Sequence, residues 1–188
     1  LLEASLEDVQ AVRGGFQVTG VPERMIGWDR VAEFAHRGLG LPPDETPGLE
    51  ATVFFRQDHP AFSFGAGLAV VRVDKDTGQV RLERFVAVDD CGHAINPLLV
   101  DGQIVGALAQ GIGQALQEHV VYGQAAELLT GTFMEYALPR ADDMPALVLD
   151  RTVTPSPLNP LGVKGVGEGG ACVAPPAIVN AVVDALSP

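Results

Sequence analysis

Gly67-Leu-Ala-Val-Val-Arg-Val-Asp74 alternates Leu68, Val70 and Arg72 with Ala69, Val71 and Val73. That is the two-residue period of a pleated strand. Lys75-Asp-Thr-Gly78 reads as a turn, and Gln79 to Val88 is a second β-rich run. Two such runs around a short Gly-containing turn predict an antiparallel hairpin. Downstream, Asp89 to Pro97 reads as a loop and Leu98 to Val121 as a long helix. Leu128 to Leu138 is mixed, and Ala146 to Val153 reads as a strand. Thr154 to Gly170 cannot be regular, because it holds Pro155, Pro157 and Pro160 among repeated glycines. Ala177 to Leu186 predicts a helix entered through Pro175 and Pro176. Upstream, Leu2, Leu6, Val9 and Val12 predict an amphipathic helix over Leu1 to Val12. Phe16 to Thr19 reads as a strand, and Trp28 to Arg37 as a helix ended by Gly38. A proline-rich connection, Leu39 to Gly48, offers a sub-boundary near residues 39–49, and Glu50 to Arg56 reads as a strand. The expected fold class is α+β, with mixed sheets, a central antiparallel hairpin, a long glycine-rich helix and a C-terminal helix. No repeat at solenoid spacing is present.

The composition narrows the function. The chain has 188 residues, 47% hydrophobic, enough to bury a core. Its net charge of −12 argues against binding nucleic acid or docking on an anionic membrane surface. No apolar run approaches the roughly 18 residues of a membrane span; the longest, Ala61 to Val71, is interrupted by Ser63, Gly65 and Gly67. Only 19% of residues are charged and mean hydropathy is +0.21. A chain this poor in charge is expected to cover much of its outside with something else. Cys91 and Cys172 are too few for a disulfide scaffold, so reduced thiols and a cytoplasmic location are expected. Leu1 in place of an initiating Met, and the stop just past an apparent helix, suggest that both ends are cut.

Three features could carry chemistry. In the long helix, Gly102, Gly106, Gly111 and Gly113 each cost about 1 kcal/mol relative to alanine. Such a loss implies close backbone approach to something. Ile104, Leu108, Ile112 and Leu116 repeat every four residues and mark the buried face. Gln103 and Gln110 share another face with Gly106 and Gly113. Amides on that stripe either read the edge of a polar heterocycle or simply face solvent beside a packed helix. Lys164-Gly-Val-Gly-Glu-Gly-Gly170 contains GxGxxG, but the dinucleotide fingerprint needs a strand before and a helix after. Prolines stand on both sides here. What remains is Glu168 enclosed by glycines, with Lys164 as the nearby cation: a surface turn or a catalytic base. Asp89-Asp-Cys-Gly-His93 matches no common metal-ligand spacing and reads as a turn whose polar side chains cap the next helix. His36, His59 and His119 are scattered, and Ser63 and Ser156 lack a nucleophile-elbow context.

Taken in order, several stretches resemble one family. They are Val88-Asp-Asp-Cys-Gly-His-Ala-Ile-Asn-Pro97, Val100-Asp-Gly-Gln-Ile-Val-Gly106, Gln110-Gly-Ile-Gly113, Leu129-Thr-Gly-Thr-Phe-Met-Glu-Tyr136, Leu138-Pro-Arg-Ala-Asp142 and Asn159-Pro-Leu-Gly-Val-Lys-Gly-Val-Gly-Glu-Gly-Gly170. Together they resemble the C-terminal part of the large subunit of molybdenum hydroxylases. This is the xanthine oxidase, aldehyde oxidoreductase and aerobic carbon monoxide dehydrogenase family. On that resemblance, residues 1–188 are the C-terminal part of the molybdenum-cofactor-binding domain, as a fragment or a split subunit.

The resemblance implies a molybdopterin cofactor, in the cytosine dinucleotide form, carrying molybdenum. It makes Glu168 the general base that takes a proton from a Mo–OH group, with hydride passing to a sulfido ligand of the metal. It makes the long helix cofactor-facing. Gln110 then contacts the pterin, while Gln103, Asp101 and Lys164 lie near the cofactor or orient the loop. No protein side chain ligates the metal. The implied partners are the upstream part of the large subunit, iron–sulfur and flavin (FAD) subunits, and a small-molecule substrate. Alone, the chain is expected to turn nothing over. The alternative is a noncatalytic assembly or binding module that keeps the fold.

Overall fold

The computed structural model describes residues 1–187. The chain divides into two compact units, Leu1–Phe55 and the remainder from Arg56. The proline-rich connection thus lies inside the first unit.

The first unit is a three-stranded antiparallel meander, β1 (Val9–Val12), β2 (Gly15–Val18) and β3 (Val21–Gly27), followed by α1 (Trp28–Arg37). The helix predicted over Leu1 to Val12 is replaced by a short 3-10 turn, Leu6–Asp8, and strand β1. Its spacing suits a helix, yet Leu6 is 87% exposed, so the stripe is not buried as such a helix would require. Twelve residues make a marginal helix alone, whereas β1 gains a full ladder, Val9↔Val18 to Val12↔Gly15. Helix α1 keeps its predicted bounds. Gly38 ends it in a left-handed conformation (φ +68°), with its N–H bonded to the Phe34 carbonyl. Phe16 and Trp28 meet edge to face at 4.7 Å. The strand predicted over Glu50 to Arg56 is absent. Val53, Phe54 and Phe55 stay exposed and no strand pairs with them, so β-rich composition there has no ladder to join.

The second unit holds the hairpin: β4 (Phe64–Val73) and β5 (Val80–Asp90), antiparallel, with a bulge at Val70/Val71. Its turn is held by the Asp74 carboxylate, which accepts from the N–H groups of Asp76 and Thr77. The sheet is mixed, because β6 (Ala146–Arg151) joins the other edge of β5 in parallel. At the end away from the turn both strands run past their predicted limits, β4 back to Phe64 and β5 on to Asp90, so Asp89 and Asp90 belong to β5 and not to a loop.

Helix α2 (Pro97–Leu116) starts with Asn96 accepting from the Leu99 N–H and Pro97 in the first turn. It ends five residues short of the predicted Val121. Beyond it Val121 donates to Thr130 Oγ1 and its carbonyl accepts from Leu129, so the chain doubles back. Helix α3 spans Gly169–Leu186 and starts eight residues before the predicted Ala177. Pro175 and Pro176 sit inside it, denying the carbonyls of Ala171 and Cys172 their helical partners. The early start is rewarded where α3 crosses α2. A methyl group at Gly170 would stand 2.6 Å from the Leu108 nitrogen, and one at Gly111 would stand 2.8 Å from the Ala174 Cβ. The predicted face of α2 is buried: Ile104, Leu108 and Ile112 pack with Phe85, Ala174 and Ile178 in the core.

Two expectations need correction. A helix does follow the GxGxxG glycines directly, so the proline pair no longer argues against a dinucleotide fold; the missing preceding strand still does. And α3 is long and apolar enough to cross a membrane by length and composition, contrary to the apolar-run reading. Within this unit its Ala174 and Ile178 face the core.

Candidate functional site

The end of β5 is zipped to the glycine-rich loop. The Lys164 N–H donates to the Cys91 carbonyl at 2.8 Å, and the N–H groups of His93 and Ser156 both reach the Gly162 carbonyl. Gly92 (φ +67°) is required there, because a side chain would collide with the Gly162 oxygen. Asn159 clamps the loop on itself, donating to the Val163 carbonyl at 2.9 Å and accepting from its N–H at 3.0 Å. The irregular stretch predicted over Thr154 to Gly170 is therefore ordered by side chains and long-range backbone bonds as far as Lys164.

Asp90 is the hub of this junction and is 1% exposed. Its carboxylate accepts from Gly92 N–H, Thr152 Oγ1, Thr154 N–H and Lys164 Nζ, at 3.0, 3.0, 3.1 and 3.0 Å. Burial pushes its pKa up, but the hydrogen bonds from Thr154, Gly92 and Lys164 outweigh burial and hold it well below the usual range. These side chains do not cap α2, as the turn reading expected; Asn96 does that. The Lys164 side chain is itself buried and its ammonium lies 4.3 Å over the Phe64 ring. The same ammonium ties the loop to Asp90 at the end of β5.

Four residues on, Glu168 stands at the start of α3 as its N-cap residue, exposed and without a side-chain capping bond. It lines a cleft of about 660 Å3. The walls are residues 61–66 leading into β4, the loop glycines Gly165 and Gly167, and Cys172, Val173 and Pro176 of α3, with Asp89 at the end of β5. Gln103 donates from Nε2 to the Gly167 carbonyl at 3.0 Å, tying α2 to the residue before Glu168. The structure thus gathers Glu168, Gln103 and Lys164 around one loop.

It does not bring the other two candidates to that point. Asp101 pairs with Arg151 Nη1 at 2.6 Å, fastening α2 to β6. Gln110 is exposed two turns further along α2, about 10 Å from Gln103 by helical rise. The α2 glycines divide into two kinds. Gly111 and Gly113 are explained by packing inside the chain, against Ala174 and Pro139 respectively. Gly102 and Gly106 meet nothing within 4 Å, as do Gly165 and Gly167 of the loop. Together with exposed Gln103 and Gln110 they leave a side of α2 and the loop where backbone is open to a ligand. Among the described residues, no three His, Cys, Asp or Glu side chains converge to hold a metal ion.

The sequence reading missed Asp89 and Asp90 as site residues, along with Asn159 and Cys172. The signal for the aspartates is their place as direct continuation of the strand alternation, which carries charge to a buried end.

The chain as a whole has recognisable relatives. Residues 1–145 match the model of the molybdopterin cofactor-binding domain. The chain is 40% identical over 189 residues to the nicotine 6-hydroxylase large subunit of Paenarthrobacter nicotinovorans, covering 100% of this chain and 23% of that protein. It is 36% identical to the carbon monoxide dehydrogenase large chain of Afipia carboxidovorans, covering 98% of this chain and 23% of the relative. Among solved structures, quinoline 2-oxidoreductase from Pseudomonas putida 86 superposes with a TM-score of 0.89 at 40% identity, over 98% of this chain and 24% of that one. The chain spans about a quarter of the length of the curated relatives it matches. With its motifs, its fold and this family match in agreement, the chain belongs to the molybdopterin cofactor-binding domain family of molybdenum hydroxylase large subunits.

Proposed function

We propose that this chain is the base-bearing part of a molybdenum hydroxylase active site. It binds molybdopterin, in the cytosine dinucleotide form, along the open side of α2 and presents Glu168 to the reacting centre. The observation that carries this is the pairing of an uncapped, exposed carboxylate with glycines that have no packing reason of their own. A bulky ligand supplies that reason, since it reaches the backbone at Gly102, Gly106, Gly165 and Gly167 without side-chain obstruction.

When bound, the cofactor supplies the oxygen donor and takes up the electrons of the substrate's C–H bond. The chain's own part is proton transfer and positioning. Glu168 Oε accepts the proton that leaves the attacking oxygen, which requires an ionised carboxylate within hydrogen-bond reach. Gln103 holds the Gly167 carbonyl, and the Lys164–Asp90 pair holds the loop four residues earlier, so the carboxylate is presented from a fixed backbone. Gln110 is assigned to an acceptor or donor of the pterin further along α2. The upstream part of the large subunit, iron–sulfur and flavin subunits, and a small-molecule substrate complete the enzyme; the isolated chain has no turnover.

In the full assembly, Glu168→Gln should leave the molybdenum content unchanged while lowering turnover by about 10^2–10^4. Near-wild-type turnover with cofactor bound would remove Glu168 from the chemistry.

A further inference from the structure

Among the described residues, Asp89 Oδ2 stands out as a buried side-chain polar atom with no hydrogen-bond partner. The residue is only 8% exposed, yet it lines the same cleft as Glu168. Every nearby cation is committed elsewhere. Lys164 is bound to Asp90, the next residue in β5, and Arg151, opposite Asp89 in the β5–β6 register, bonds Asp101. Two glycines flank the carboxyl group: a methyl at Gly65 would stand 3.1 Å from Oδ1, and one at Gly169 would stand 3.2 Å from it. The start of α3 therefore abuts Asp89, but none of its N–H groups bonds the side chain. Glu168 and the free thiol of Cys172 are the other titratable groups lining the cleft.

An ionised carboxylate left unpaired in such a place is costly, and burial does raise the Asp89 pKa. Protonation removes that cost, and it is the direction in which burial moves the group. A neutral carboxyl group carries one O–H donor, and a buried donor without an acceptor is itself destabilising. Asp90 hydrogen bonds within the chain and the Asp89 side chain does not, and the cleft is the space onto which Asp89 opens.

We infer that Asp89 is a ligand-binding acid of this cleft: its carboxyl O–H donates to an acceptor atom, a ring nitrogen or carbonyl oxygen, of a flat heterocycle lying against Phe64 and the start of α3. The inference rests on the cofactor-and-substrate reading of this cleft. The acceptor edge can belong to the pterin or to the substrate, and the two sources are separable.

The test uses the intact, cofactor-loaded enzyme with Asp89→Asn, which keeps a donor, and Asp89→Leu, which does not. Molybdenum and pterin content are measured first. Equilibrium binding of quinoline is then compared with that of naphthalene, the same shape without the acceptor nitrogen. If Asp89 binds the substrate, Asp89→Leu keeps its cofactor and loses a quinoline preference of about tenfold or more. If it binds the pterin, Asp89→Leu loses cofactor instead. In either case Asp89→Asn stays near wild type, and the wild-type contact weakens as pH rises through the Asp89 ionisation while the Asn variant's does not. Full cofactor content with an unchanged quinoline preference in Asp89→Leu overturns the inference. So does an Asp89→Asn variant as defective as Asp89→Leu. Should Asp89→Leu fail to fold, the pH contrast between wild type and Asp89→Asn decides. Binding and content do not depend on turnover, so a failure of Glu168 as base, seen only in turnover, remains distinguishable.

Discussion

Asp90 and Asp89 are neighbours in one strand, and the packing around them drives their carboxyl groups in opposite directions. Asp90 collects four donors and is held ionised, so it contributes stability above the ordinary carboxylate range and loses it as pH falls through its depressed value. The expected outcome for Asp90→Asn is a flatter stability–pH curve below pH about 4, read by thermal unfolding across an acid series. At neutral pH it should lower Tm several-fold more than breaking the exposed Arg72–Glu83 pair, since it strands the buried Lys164 charge. Asp89 has the opposite sign. Its pKa is raised, so the folded state is favoured at low pH and loses that advantage as pH rises through the raised value. Asp89→Asn should therefore unfold at a higher temperature than wild type in alkaline buffer and show no such gain in acid. In the sequence both residues read as one turn; nothing local distinguishes a carboxylate with four donors from one with none.

At the scale of the element, the glycines of α2 separate packing from binding. Gly170→Ala or Gly111→Ala drives a methyl group into the α2–α3 crossing, where backbone atoms of Leu108 or the side chain of Ala174 stand in the way. Each should destabilise by about 1–3 kcal/mol, measured by denaturant unfolding. Gly106→Ala meets nothing and relieves a helix of its glycine, so a gain of about 1 kcal/mol is expected. If α2 is the cofactor-facing helix, the same substitution lowers molybdopterin content in the assembled enzyme. Unchanged content would remove that face from the site. The hydrophobic period of α2 was legible because it repeats every four residues. Its early end and the early start of α3 were not, because both depend on what the next segment bonds to. Gly113 packs under Pro139, and Gly170 under the backbone of α2.

Over the whole molecule, the surface carries large apolar side chains that nothing in the chain covers. Phe62 is 79% exposed, Leu98 79%, Phe133 83% and Met134 91%. With only 19% charged residues, the isolated chain should self-associate. A clean monomer in light scattering at high concentration would contradict this. Molybdenum should appear only when the chain is co-expressed with the upstream part of a large subunit, as measured by elemental analysis. By itself the sequence determined the hairpin, helix α1 to the residue, the buried face of α2, the α+β class and the family, because each rests on local period, a capping glycine or motif order. Only the tertiary structure decided that residues 9–12 are a strand, that residues 50–56 are not, and that α3 runs through two prolines. It also decided that Asp89 lies unpartnered beside Glu168. These outcomes depend on which surface each segment meets, and long-range pairing is not encoded in any window of neighbouring residues.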